Sequence, residues 1–181
     1  MMNTLIFILI TTFIPASNQY IIDFGKTTES QKWTTVVDGV MGGKSTSELL
    51  ELNNSILFSG EISLKNNGGF ASLRGVRNYE DLSNYTTVEI KYRSAGQDFA
   101  LRLLKHEAFY LPYFKHNFET TNWDWKTINI PLELFSEYRL SDETGNTVTN
   151  DELKKINRLG IIVSNKIEGQ FKIEIDYIKF K

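Results

Sequence analysis

The segment Phe171-Lys-Ile-Glu-Ile-Asp176 alternates apolar and polar residues strictly, until the pattern breaks at Tyr177-Ile178. That period of two belongs to a pleated strand with one face on a core and one in water. Strand-like segments recur at 20–24, 56–64, 70–74, 86–93, 99–104, 107–114 and 123–130, with turn signals between them. Many short strands at this spacing predict an all-β chain, a β-sandwich or jelly roll with one or two short helices. Gly60 within the 56–64 run predicts a bulge or a close backbone approach. The run Asn66-Asn-Gly-Gly69 predicts a turn, because Asn and Gly tolerate positive φ. Helix signals are confined to Thr149-Asn-Asp-Glu152, a capping box followed by Leu153 and Ile156, and to a single turn near Pro131-Leu-Glu-Leu-Phe135.

A chain of 181 residues is long enough for one domain with a substantial core. No repeat, linker or low-complexity segment divides it after residue 18. The first residues differ: Leu5 to Ile14 is an apolar run with only Thr11 and Thr12 in it, followed by Pro15-Ala16-Ser17. Residues 1–17 thus read as a signal peptide or an N-terminal hydrophobic segment, and residues 18–181 as a single jelly-roll domain. The expected location is exported, periplasmic or secreted, or tethered to a membrane through that segment.

The absence of cysteine removes disulfides, thiolate metal sites and cysteine nucleophiles. With 20 basic and 22 acidic residues and no run of like charge, the chain has no electrostatic footprint for nucleic acid. Gly43-Lys44-Ser45 has the ending of a phosphate-binding loop, but the required first glycine would fall on Asp38. A carboxylate there opposes phosphate, and no strand–helix series follows to house such a loop, so no nucleotide is expected. Residues 46–52 would open a helix in that reading, and Asn53-Asn54 cuts it short. His106 and His116 lack partners at metal-ligand spacing, and no Gly-x-Ser-x-Gly elbow occurs. No cofactor, no metal and no catalysis are expected.

Aromatic residues crowd one region: Phe109, Tyr110, Tyr113, Phe114, Phe118, Trp123 and Trp125. Most are expected in the sandwich core. By strand parity Trp123 and Trp125 share a face, and one of them is expected exposed as a platform for a sugar ring or peptide.

The series Trp33…Asp38-Gly-Val-Met-Gly-Gly-Lys-Ser45, Phe58-Ser-Gly60 and Asn67-Gly-Gly-Phe-Ala-Ser72 with Arg74 resembles the signature of the complex I intermediate-associated protein 30 family. Leu82-Ser-Asn-Tyr85, Trp123…Ile130-Pro131 with Phe135, Ile156…Leu159-Gly160 and Phe171…Ile175-Asp176…Ile178 extend the resemblance from about Tyr20 to Phe180. It implies a jelly roll similar to galactose-binding and carbohydrate-binding modules. It also implies a non-enzymatic, chaperone-like assembly role with protein partners, as in mitochondrial members that hold intermediates of complex I. Carbohydrate is the alternative ligand, in an exported protein. The start departs from those members, having no Arg-rich presequence. Candidate binding residues are Asp38, Met41, Gly42, Gly43, Ser45, Gly69, Phe70, Ser72, Arg74, Trp123 and Trp125, with an Asp38–Arg74 contact expected where the two glycine-rich segments meet.

Overall fold

The computed structural model describes residues 19–78 and 80–181, and for residues 27, 28, 40 and 41 the backbone alone. The expected N-terminal signal segment lies outside the described residues. The rest is a β-sandwich. One sheet contains β1 (Tyr20–Asp23), β3 (Thr46–Glu51), β4 (Ile56–Ile62), β6 (Thr87–Ala95), β9 (Lys126–Pro131) and β13 (Gly169–Phe180). The other contains β2 (Thr34–Val37), β5 (Ala71–Arg74), β7 (Phe99–Leu104), β8 (Tyr113–Phe118), β10 (Ser136–Arg139), β11 (Asp142–Thr147) and β12 (Arg158–Val163). The first sheet is six-stranded, ordered β3-β4-β13-β6-β9 with β1 beside β13; the second is seven-stranded, ordered β11-β10-β8-β7-β12-β5-β2. All pairings are antiparallel.

The inner faces interdigitate, as packed sheets do. Phe171 of β13 meets Phe99 of β7 across the sandwich at 6.1 Å between ring centroids, and Tyr92 of β6 meets Phe118 of β8 at 4.9 Å. The break in alternation at Tyr177-Ile178 has a physical cause. The register of β13 against β6 shifts between Ile175 and Tyr177, a bulge that moves the buried set from Ile173 and Ile175 to Ile178 and Phe180. Gly60 is a close approach, since a Cβ there would stand 2.0 Å from the Thr46 carbonyl oxygen on β3.

Residues 46–51 form strand β3 rather than a helix, because β4 supplies a full ladder to them. The Asn66–Gly69 turn carries the expected positive φ values at Asn66, Asn67 and Gly69, but it joins β4 of one sheet to β5 of the other instead of closing a hairpin. The capping box holds one turn, α2 (Asn150–Leu153), where the Glu152 amide donates to Thr149 Oγ1 at 3.3 Å. A single 3-10 turn at Leu132–Leu134 follows Pro131. A second short helix, α1 (Thr27–Ser30), was without a sequence signal. No described helix is long and apolar enough to cross a membrane.

Candidate functional site

The glycine-rich motif is a corner. Asp38 opens a single 3-10 turn after β2, and Gly42 ends it with φ +84. The Asp38 carboxylate is 2 % exposed and collects four hydrogen bonds. Ser45 donates from its amide to Oδ1 at 3.1 Å and from its hydroxyl to Oδ2 at 2.6 Å. Gly69 and Phe70 donate from their amides to Oδ2 at 2.6 and 3.3 Å. Burial alone would raise this carboxyl's pKa; the bonds from Ser45, Gly69 and Phe70 outweigh it and hold the group below the usual carboxylate range. Glycine is required beside it, because a Cβ on Gly43 would lie 2.2 Å from Oδ1 and one on Gly68 2.7 Å from Oδ2. The chain crosses between sheets at β2–β3 and again at β4–β5, and Asp38 ties both crossings together. Ser45 extends the tie, accepting from the Ser63 amide at 3.1 Å.

This arrangement brings Asp38, Gly43, Ser45, Gly69 and Phe70 together as a structural staple. The Met41 side chain lies outside the described residues. The expected Asp38–Arg74 contact is not formed: no ion pair or hydrogen bond joins them among the described residues. Val37 pairs with Ala71 and Thr34 with Arg74, so Asp38 and Arg74 stand at opposite ends of the β2–β5 ladder, about 13 Å apart along the strand.

Trp123 and Trp125 precede β9 instead of belonging to it, and Trp123 has φ 73, which breaks strand parity. They nevertheless share a face. Both rings flank the Arg93 guanidinium, at 4.6 and 5.0 Å, on the outside of the six-stranded sheet. Lys172 covers Trp123 at 3.9 Å, whereas Trp125 is 43 % exposed, the one exposed tryptophan that was expected. The expectation that most of the aromatic group lies in the core is corrected. Phe114 and Phe118 do, but Phe109 and Tyr110 are exposed in the β7–β8 loop and Tyr113 points outward from β8.

Arg74 and Ser72 lead to a different place, the outer face of the seven-stranded sheet. Register puts Thr34, Arg74, Gly160, Arg102, Lys115 and Ser136 in one row across six strands. Alternation buries Leu73, Leu101, Leu103, Leu159 and Ile161 in the core, so this row faces outward. Arg102 is 7 % exposed, with its guanidinium 3.9 Å from the centroid of the Tyr113 ring. Tyr113 stacks on Tyr138 at 6.1 Å, and the Lys115 ammonium lies 4.0 Å over the Tyr138 ring. Two cations and two rings thus form one pile.

Donors on this face lack protein partners. Among the described residues, five buried side-chain polar atoms have no hydrogen bond, and four of them are Ser72 Oγ, Arg74 Nε, Arg102 Nε and Arg158 Nε. No carboxylate pairs with Arg74, Arg102, Arg158 or Lys115 in the described structure. Near Lys115, Glu143 on β11 accepts from the Tyr138 hydroxyl at 3.3 Å. Burial pulls Arg102 down to about 10, countered by Tyr113 and assisted by Arg74. Burial and then Arg158 lower Arg74; burial and then Arg102 lower Lys115, against Glu143. At the Arg158 end a cavity of about 350 Å³ opens, lined also by Tyr20, Trp33, Arg77 and two acids, Glu29 and Glu80. Sequence reasoning missed Arg102, Arg158, Lys115, Tyr113 and Tyr138 as a group. The available signal was a cation inside an apolar strand, as in Phe99-Ala-Leu-Arg-Leu-Leu104.

Two antiparallel sheets packed face to face define a β-sandwich jelly roll. A family 11 carbohydrate-binding module of a cellulosomal cellulase from Clostridium thermocellum superposes with TM-score 0.66 at 16 % identity, covering 91 % of this chain and 95 % of its own. The same kind of module in complex with a β-1,3-1,4-mixed-linked tetrasaccharide gives 0.64 at 17 % identity, with 91 % and 96 % covered. An agarase gives 0.59 at 10 % identity over 90 % of this chain and 24 % of the agarase. The family profile of complex I intermediate-associated protein 30 matches residues 22–175, and the chain belongs to that family. No curated protein matches it.

Proposed function

We propose that this protein is a non-catalytic binding module that holds a carbohydrate chain on the outer face of its seven-stranded sheet. The observation that carries the reading is the set of unpartnered donors there. Native proteins pair nearly all buried polar groups, so four orphaned atoms on one face call for a partner from outside. A hydroxylated chain supplies acceptor oxygens at many positions, and flat strands supply a surface for it. The architecture shared with a module bound to a tetrasaccharide supports the same reading. In this reading residues 1–17 direct export and residues 18–181 form the single module.

A protein-assembly role is the second reading, favoured by family membership and by one feature. Phe109 at 63 %, Tyr110 at 52 % and Leu140 at 51 % exposure are neighbours, with Arg139 Nε donating to the Tyr110 carbonyl at 3.3 Å. Affinity electrophoresis through a panel of polysaccharide gels separates the two. Retardation by a polysaccharide, lost in Arg102→Gln, supports the carbohydrate reading. Free migration in every gel, together with suppressed aggregation of an unfolded client that Phe109→Ser abolishes, replaces it with the assembly reading.

A further inference from the structure

We propose that the ligand of this face is an acidic polysaccharide, one whose sugars carry carboxylate or sulfate groups. The inference rests on the carbohydrate reading and deepens it. Hydrogen bonding alone would be met by any hydroxylated chain; the distribution of charge narrows the choice. Arg74, Arg102, Arg158 and Lys115 gather on one face without an ion-pair partner among the described residues; Glu143 stands near its Lys115 end, and Glu29 and Glu80 line the cavity beside Arg158. On the opposite sheet, by contrast, Arg93 pairs with Glu174 at 2.6 Å and Lys91 with Asp176 at 2.7 Å. A neutral chain would satisfy the donors and leave four mutually repelling cations in place. An anion satisfies both, since charge-assisted hydrogen bonds to guanidinium are the stronger kind.

The geometry also supplies a seat. Gly160 lies between Arg74 and Arg102 in the row, and its missing side chain leaves a gap between them. A Cβ at this position would sit 3.9 Å from Arg74 Cγ, 3.7 Å from Leu104 Cδ1 and 3.1 Å from the Leu73 carbonyl oxygen. The distance from the β5 strand to the β7 strand is about 10 Å, so an anionic group over Gly160 is within reach of both arginines. Arg158 closes the same side, two residues along β12.

One feature points away from nucleic acid. Single strands bind through aromatic faces on which bases stack. Here the ring of Tyr113 is taken by Arg102 on one side and Tyr138 on the other, and the Tyr138 ring by Lys115. The chain's formal net charge of −2 gives no long-range attraction to any polyanion, an acidic polysaccharide included, so binding rests on the local row.

The test is titration calorimetry of the full chain with polygalacturonate, a sulfated galactan, neutral mixed-linkage β-glucan, single-stranded DNA and polyglutamate. The expected result is binding to one or both acidic polysaccharides, weakened by salt as exposed charge pairs are. Arg102→Gln and Lys115→Gln should each lower that affinity about tenfold or more, whereas Leu50→Ala on the opposite sheet leaves it unchanged. Binding that disappears below about pH 3.5 for the first ligand but persists for the second separates a carboxylate from a sulfate source. Binding to the neutral glucan alone, lost in Arg102→Gln, keeps the carbohydrate face and overturns the acidic ligand. Equal affinity for DNA or polyglutamate overturns the choice of polysaccharide. No binding to any glycan, or binding that neither variant weakens, overturns both. Lys115 is half-exposed, so its variant keeps the test valid if Arg102→Gln fails to fold.

Discussion

Asp38 carries a concrete cost for its removal. In Asp38→Ala the amides of Ser45, Gly69 and Phe70 lose their acceptor inside a corner where the carboxylate is 2 % exposed. The Ser45 hydroxyl retains contacts with Ser63, so it contributes less to the loss. A buried group left without a partner costs about 1–3 kcal/mol. Allowing for relaxation of the two crossings, the sum is about 4 kcal/mol, toward the upper end for one substitution. In a domain of this length that corresponds to a fall in melting temperature of about 10 °C. Asp38→Asn keeps the shape but sets an amide group against the Gly69 N–H, and should lose about 2–3 kcal/mol. The pH dependence has a fixed sign. The folded pKa of Asp38 lies below its unfolded value, so its contribution is present above about pH 4 and is lost as pH falls through the folded value. The wild-type advantage over Asp38→Asn must therefore shrink on acidification. Urea unfolding of all three proteins between pH 3 and 7 measures it. A loss in Asp38→Ala below about 1 kcal/mol, or a wild-type advantage over Asp38→Asn that grows at low pH, refutes the staple.

Within the same motif the glycines separate by geometry. Gly43→Ala forces a Cβ to 2.2 Å from Asp38 Oδ1 and should destabilise by about 2 kcal/mol or more, while Gly39→Ala, with nothing nearer than 3.9 Å, should stay within about 0.5 kcal/mol by thermal unfolding. Glu89 is pulled from 4.5 to about 2 by Lys179, Lys181 and Tyr177 against burial; its contribution of about 2–3 kcal/mol is lost as pH falls from about 4.5 toward 2, and Glu89→Gln should flatten the acid limb of stability. Arg102→Met removes a desolvated charge beside Arg74 and should raise the unfolding free energy of the free protein by about 1–2 kcal/mol while weakening ligand binding, a trade-off that urea titration and calorimetry read separately.

Alternation and turn chemistry make the sandwich legible in the sequence, down to the break at Tyr177-Ile178, which is a bulge in the structure. The segments that escaped were those whose partners decide their form. Residues 142–147, Asp-Glu-Thr-Gly-Asn-Thr, form strand β11 with every residue exposed, so no apolar period marks them. Residues 107–112 were expected in a strand for their aromatics and form a loop instead, with Phe109 and Tyr110 in solvent. The motif around Asp38 was visible as a motif, but its partners were not. Only the ladder between β2 and β5 reveals that Arg74 stands at the far end from Asp38. Arg74, Arg102, Arg158 and Lys115 lie far apart in the chain, and it is strand order that assembles them. In the sequence Arg102 reads as a solitary charge on a strand, Arg74 groups with Asp38, and Lys115 and Arg158 fall outside the strand-like segments.

The most direct measurement of the acidic-ligand face follows the arginine Nε–Hε resonances of the 15N-labelled protein by NMR during titration with an oligogalacturonate. The three orphaned nitrogens, on Arg74, Arg102 and Arg158, are the atoms expected to gain acceptors. Their cross-peaks should move together to a common saturation, with the Trp123 and Trp125 indole signals still. Unmoved arginine signals at saturating ligand, or shifts confined to the two indoles, would contradict the assignment of this face.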